Sequence, residues 1–146
     1  MPVDVVTETI IRRPVAEVAA YAADPATAPS WYENIKSAEW ATQPPVRVGS
    51  RFRFTARFLG KTLAYTYEVA AHEPGRRLVM PTAEGPFPME TTYTWEPVGA
   101  DATRMTLRNR GSPAGFSRLL APFMAMAMRR ATTKDLARIK AKLEAR

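Results

Sequence analysis

A chain of 146 residues suits one domain with a sizeable core and needs no covalent staple. It holds no Cys and one His, which excludes disulfides, thiolate nucleophiles and thiolate or multi-histidine metal sites, so neither metal nor cofactor is expected. Twenty-one Lys and Arg against 14 Asp and Glu give +7 at pH 7, but the basic residues are dispersed through the chain, so nucleic acid is not an expected partner.

No apolar run approaches the ~20 residues of a membrane span, and the first residues lack the basic region of a signal peptide. A soluble, cytoplasmic protein is therefore expected.

In chain order, residues 3–11 read as a β-branched strand ending at Arg12 and Arg13. Pro14 suits the first position of a short helix whose apolar face is Val15, Val18, Ala19 and Ala22. Asp24 and Pro25 repeat that start signal and lead through Trp31 and Tyr32 to Ile35, so two short helices follow the first strand. From Ser37 the period becomes two. Phe52, Phe54, Ala56 and Phe58 alternate with Arg51, Arg53, Thr55 and Arg57, and beyond a turn at Gly60 and Lys61 the residues Leu63, Tyr65, Tyr67 and Val69 alternate with polar neighbours. After a turn at Glu73, Pro74 and Gly75 comes a short strand over 78–80. A proline-rich loop over 81–88 follows, carrying an exposed-looking Phe87. Two more alternating strands, Met89 to Glu96 and Arg104 to Asn109, are joined by a turn at Gly99.

Residues 115–146 are long and periodic enough for one helix. Ala121, Ala125, Met128, Thr132, Leu136, Ile139 and Leu143 share a stripe, while Arg130, Lys134 and Arg138 lie away from it. Its first half carries a second apolar set, Phe116, Leu119, Leu120, Phe123 and Ala127, that asks for cover on the other side. Pro122 predicts a kink, or a short helix ending before it. The inner face of so many consecutive antiparallel strands must curl around something, and the long helix is the available plug.

This order of elements, together with Asp24 and Pro25 before Trp31, Val48 and Gly49 opening a strand, Glu73 and Pro74 before Arg77 and Leu78, Tyr93 to Pro97 before Thr103, and Leu136, Lys140, Leu143 and Glu144, resembles the START-like or SRPBCC superfamily, in its polyketide cyclase/dehydrase and lipid-transport branch. The resemblance spans nearly the whole chain. It implies an α+β helix-grip domain over residues 1–146, with a curved antiparallel sheet of about seven strands wrapped around the C-terminal helix and an apolar cavity between them. It places the cavity mouth near the start of that helix, at residues 59–61, 81–88 and 111–115. There Phe116, Leu120, Phe123 and Phe87 would cover a ligand, touch a membrane, or pack as a dimer seam.

The candidate ligand-binding residues are Phe54, Phe58, Tyr65 and Tyr67 on the first hairpin; Met80, Phe87, Met89, Tyr93, Trp95 and Met105 on the later strands and loop; and Phe123, Met124 and Met128 on the helix. Taken singly, each reads as plain core before ligand contact. As a set they mix deformable Met with phenols and an indole that hydrogen-bond without a buried charge, as ligand cavities require. His72 falls on an outer face, and no serine has the context of a nucleophile elbow. The leading expectation is a binder of a small hydrophobic molecule such as a lipid, polyketide or isoprenoid. The alternatives are a cyclase, aromatase or dehydratase using Tyr65, Tyr67 or Tyr93 for proton transfer, and a basic protein for anionic membrane or nucleic acid.

Overall fold

The computed structural model describes residues 3–58, 60–112 and 120–146. Strand β1 (Val3–Ile11) turns Val3, Val5 and Ile11 inward. Helix α1 (Val15–Ala23) starts just after Pro14, which caps the helix from outside its first turn, and buries Val18, Ala19 and Ala22. Asp24 accepts the Ala26 N–H at 3.0 Å and so opens a 3-10 turn (Pro25–Thr27). That turn runs into the short helix α2 (Ala28–Trp31), which drives Trp31 into the core.

Strands β2 (Ile35–Trp40), β3 (Arg51–Phe58), β4 (Lys61–Glu68), β5 (Ala71–Glu73), β6 (Arg77–Glu84), β7 (Met89–Pro97) and β8 (Thr103–Gly111) complete the sheet. Its order is β1-β8-β7-β6-β4-β3-β2, with β5 beside β6 and every pairing antiparallel. The sheet curves into a half-barrel around α3 (Ala121–Glu144), which is the helix-grip fold.

Two expectations change. The short strand over 78–80 extends to Glu84, because Pro81 falls between the stretch of β6 paired to β5 and the stretch paired to β4, where its missing N–H is not needed. The three-residue strand β5 is too short to show a period. Pro122 lies in the first turn of α3, which starts at Ala121, where N–H groups have no intrahelical acceptor to lose; the alternative of a short helix ending before it falls on residues 115–119. Residues 115–119 of the expected helix lie outside the described residues.

Helix α3 covers the free edge of β1 as well as the hollow of the sheet. Arg129 donates to the Val6 carbonyl at 3.2 Å and Lys140 to the Ile10 carbonyl at 2.6 Å, while Glu144 accepts the Arg12 N–H at 2.9 Å. The guanidinium of Arg13 donates to the carbonyls of Glu144 and Arg146 at the helix end, a favourable place for a cation. An edge that would otherwise offer unpaired backbone groups is closed. Leu136, Ile139 and Leu143 pack into the main core beside Ile11, Val18 and Trp31, and Met124 packs on Val3 and Val5.

Ile139 has no exposed surface, whereas Ala137 lies on the outer face. Ile139→Ala is expected to lower unfolding free energy by about 2–5 kcal/mol, and Ala137→Ser to change it by under about 0.5 kcal/mol. Denaturant unfolding measures both, and equal effects would contradict this placement of α3.

Candidate functional site

Where the sheet curves away from the first half of α3, the side chains leave a cavity of about 130 Å³. Phe54, Tyr65 and Tyr67 reach it from β3 and β4 because alternate residues of a strand share a face. Met80 and Met89 come from β6 and β7, and Phe87 from the loop between them. That loop is tied down by the Met89 N–H on Thr82 Oγ1 at 3.0 Å and the Ser112 N–H on the Pro88 carbonyl at 3.1 Å. Phe87 is consequently buried, its ring edge-on to Tyr65 at 5.9 Å, rather than exposed as its loop suggested. Met124, Met128 and Ala131 close the cavity from the helix.

The remaining candidates lie elsewhere. Trp95 and Met105 face each other across β7 and β8, buried beyond the cavity. Trp95 borders a second, wider groove of about 780 Å³ between α1, residues 44–46 and the turn at Pro74, where the half-buried His72 also lies. Phe123 is 67% exposed, on the face of α3 opposite the sheet. One helical step of about 100° separates it from the inward Met124. The side chain of Phe58 lies outside the described residues.

The polar groups of the lining form a strip across the cavity. The hydroxyls of Tyr32 and Tyr93 pair at 2.7 Å. Two residues along β7 on the same face, Thr91 donates to Asn109 Oδ1 at 2.8 Å. Asp135 of α3 adjoins the tyrosine pair, is 2% exposed, and accepts the Glu33 N–H at 2.9 Å through Oδ1. Trp31 braces this end, 4.1 Å from the Tyr32 ring and 5.9 Å from that of Tyr93.

The ionisation of these groups follows from burial. Loss of solvent holds the phenols of Tyr32, Tyr65 and Tyr93 well above their ordinary value and pushes Tyr67 up to about 12. All four are neutral O–H groups at physiological pH. Burial also raises the Asp135 carboxyl from 3.8 to about 6, against the opposing pull of the Glu33 N–H and the Arg138 guanidinium. Asp135 therefore changes charge in the range where acid–base chemistry operates.

Sequence reasoning missed Asp135, Tyr32, Thr91 and Asn109. The signal for Asp135 was present: it sits seven residues after Met128 and four before Ile139, so a carboxylate occupies an inward helical phase. Among the described residues, no group of three or more His, Asp or Glu could hold a metal ion, and no helix is long and apolar enough to cross a membrane.

Residues 2–144 match a family model described as polyketide cyclase / dehydrase and lipid transport. A Thermus thermophilus protein, TTHA0849, superposes with a TM-score of 0.83 at 22% identity over 97% of both chains. The Zhui aromatase/cyclase of a Streptomyces species superposes at 0.81 with 16% identity, over 98% of this chain and 94% of that one. A START superfamily protein from Mycobacterium smegmatis superposes at 0.79 with 15% identity over 97% of both. At these identities the likeness is one of fold. A search of curated proteins finds no significant match by sequence.

The raised carboxyl has a thermodynamic consequence. A group whose folded pKa lies above its unfolded one favours folding at low pH, and that contribution disappears as pH rises from about 4 through about 6. Two pKa units correspond to about 3 kcal/mol. Asp135→Asn, which keeps the acceptor for Glu33, is expected to match the wild type near pH 4 and to exceed it by about 2–3 kcal/mol near pH 7.5. Thermal unfolding across that range reads the difference, and parallel curves would rule out a raised carboxyl.

Proposed function

We propose that this chain, which belongs to the polyketide cyclase / dehydrase and lipid transport family, takes up a compact hydrophobic molecule with an oxygen acceptor in the cavity under α3. The observation that carries the reading is an apolar cavity crossed by one polar strip. When two hydroxyls bond to each other, one proton is used between them and the other is free to donate. The Tyr32 and Tyr93 pair thus offers one O–H to a ligand carbonyl or phenol, while Phe54, Phe87 and the methionines take the carbon skeleton. An apolar cavity of about 150 Å³ takes up benzene, so the space here suits one aromatic ring or a short branched chain. Larger polyketides or lipids would need the methionines and Phe87 to move.

Asp135 favours a second reading, an enzyme of the cyclase or dehydratase kind. Its carboxylate would take the proton from a carbon beside a carbonyl, while a tyrosine O–H donates to that carbonyl oxygen. The resulting enolate attacks a second carbonyl of the same chain and forms the ring bond. The alkoxide so formed takes that proton from Asp135 and becomes a hydroxyl; the regenerated carboxylate then removes the second proton of the same carbon and delivers it to the hydroxyl, which leaves as water as the carbon–carbon double bond forms. Positioning by the cavity and proton transfer by Asp135 supply the rate.

Native mass spectrometry of the freshly purified protein, followed by solvent extraction, is expected to show a discrete organic adduct. Ala131→Phe, which fills the cavity from α3, should lack it. An adduct unchanged in A131F would place binding elsewhere. Tyr93→Phe should weaken an oxygen-bearing aromatic ligand by about fivefold to tenfold, the worth of one hydrogen bond. For the second reading, Asp135→Asn should retain binding and lose turnover of a poly-β-keto substrate by about a hundredfold or more; undiminished turnover would exclude Asp135 as the proton carrier.

A further inference from the structure

The outer face of α3 has no place in the cavity's chemistry, and its composition changes sharply along its length. The first two turns expose Leu120 (45%), Phe123 (67%) and Met126 (61%). The next two turns expose Arg129, Arg130 and Lys134. Among the described residues none of these three cations pairs with a carboxylate. Of the two acids in the helix, Asp135 is buried, and Glu144, at the far end, is held by Lys140 at 2.6 Å. The visible face of α3 is thus an apolar tip followed by uncompensated positive charge, on a chain whose net charge is +7.

We propose that this face docks on an anionic lipid surface, with Phe123, Met126 and Leu120 entering the boundary between headgroups and acyl chains and Arg130 and Lys134 at the phosphates. Residues 120–126 extend about 9 Å along the helix, and a helix lying in the interface plane buries such an apolar face about 5–10 Å deep. Arg130 stands about 10 Å further along the axis than Phe123, so the cations continue the face beside the apolar turns, within reach of the headgroup phosphates. Nucleic acid would be met by the cations alone and leaves the exposed Phe and Met unexplained; a lipid surface uses both. The inference does not depend on what the cavity holds, yet it gives the cavity a location: Met124 and Met128, on the opposite side of the same turns, line it.

The test is co-sedimentation with vesicles of phosphatidylcholine containing about 30 mol% phosphatidylserine, compared with phosphatidylcholine alone. Binding to the anionic vesicles, weakening with salt, is expected. Arg130→Gln with Lys134→Gln should weaken it about 25-fold, about fivefold for each cation. Phe123→Ser with Met126→Ser should weaken it about tenfold or more at fixed salt. All these positions are exposed, so the variants should unfold at the wild-type temperature.

Failure of the wild type to bind overturns the proposal. So does binding that survives the F123S/M126S change, since the apolar tip would then be irrelevant. A wild-type dimer that the same change converts to monomer would make the face a seam between copies. Duplex DNA binding that survives F123S/M126S, without vesicle binding, would assign the cations to nucleic acid; either result replaces the lipid surface.

Discussion

A curved antiparallel sheet exposes its hollow face and its free edges, and in this chain one helix answers both. α3 fills the hollow with Leu136, Ile139 and Leu143 and closes the β1 edge with Arg129 and Lys140, whose long stems let charged heads reach backbone carbonyls from the helix surface. The two tasks fix the helix in rotation and in translation. Rotation sets which residues look inward. Translation, set by the bonds of Glu144 and Arg13 at the far end, places the first turns of α3 over the widest part of the sheet.

The cavity follows from that placement. Toward its C-terminus α3 offers branched aliphatic residues that interlock with Ile11, Val18 and Trp31. Toward its N-terminus it offers Met124, Met128 and Ala131, too slender to meet Phe54, Tyr65 and Tyr67 across the hollow. The same fold is thus packed at one end and open at the other, and the boundary is the layer of Trp31, Tyr32 and Tyr93. Among the described residues the buried Nε1 of Trp31 and of Trp95 has no protein partner.

The fold was legible because its strands alternate over many residues and α3 keeps its stripe for several turns, so local pattern and tertiary burial agree. Misreadings arose where one residue had two physical meanings. Pro81 looks like a break, but it sits where no N–H is needed, a fact of pairing that the sequence does not carry. Phe123 and Met124 are both apolar, and only the final rotation of α3 sends one outward and the other into the cavity. The polar strip was harder still. Tyr32 meets Tyr93 across 61 positions, and Glu33 meets Asp135 across 102, encounters created by curvature alone.

Asp135 is the residue for which stability and chemistry part company. Among the described residues its neighbours give it one backbone N–H and no direct ion pair, so ionising it near neutral pH works against the fold. An asparagine would accept the same hydrogen bond and stay neutral. Structure alone therefore gives no reason for a carboxyl group here. What a carboxyl adds is a proton that can be given or taken near pH 6, beside a tyrosine O–H and at the wall of an apolar cavity. In such surroundings a charge is stabilised only by what is placed against it, and the groups at hand are those that would hold a substrate's oxygen. The feature that weakens the fold at neutral pH is the one on which the proposed proton transfer rests.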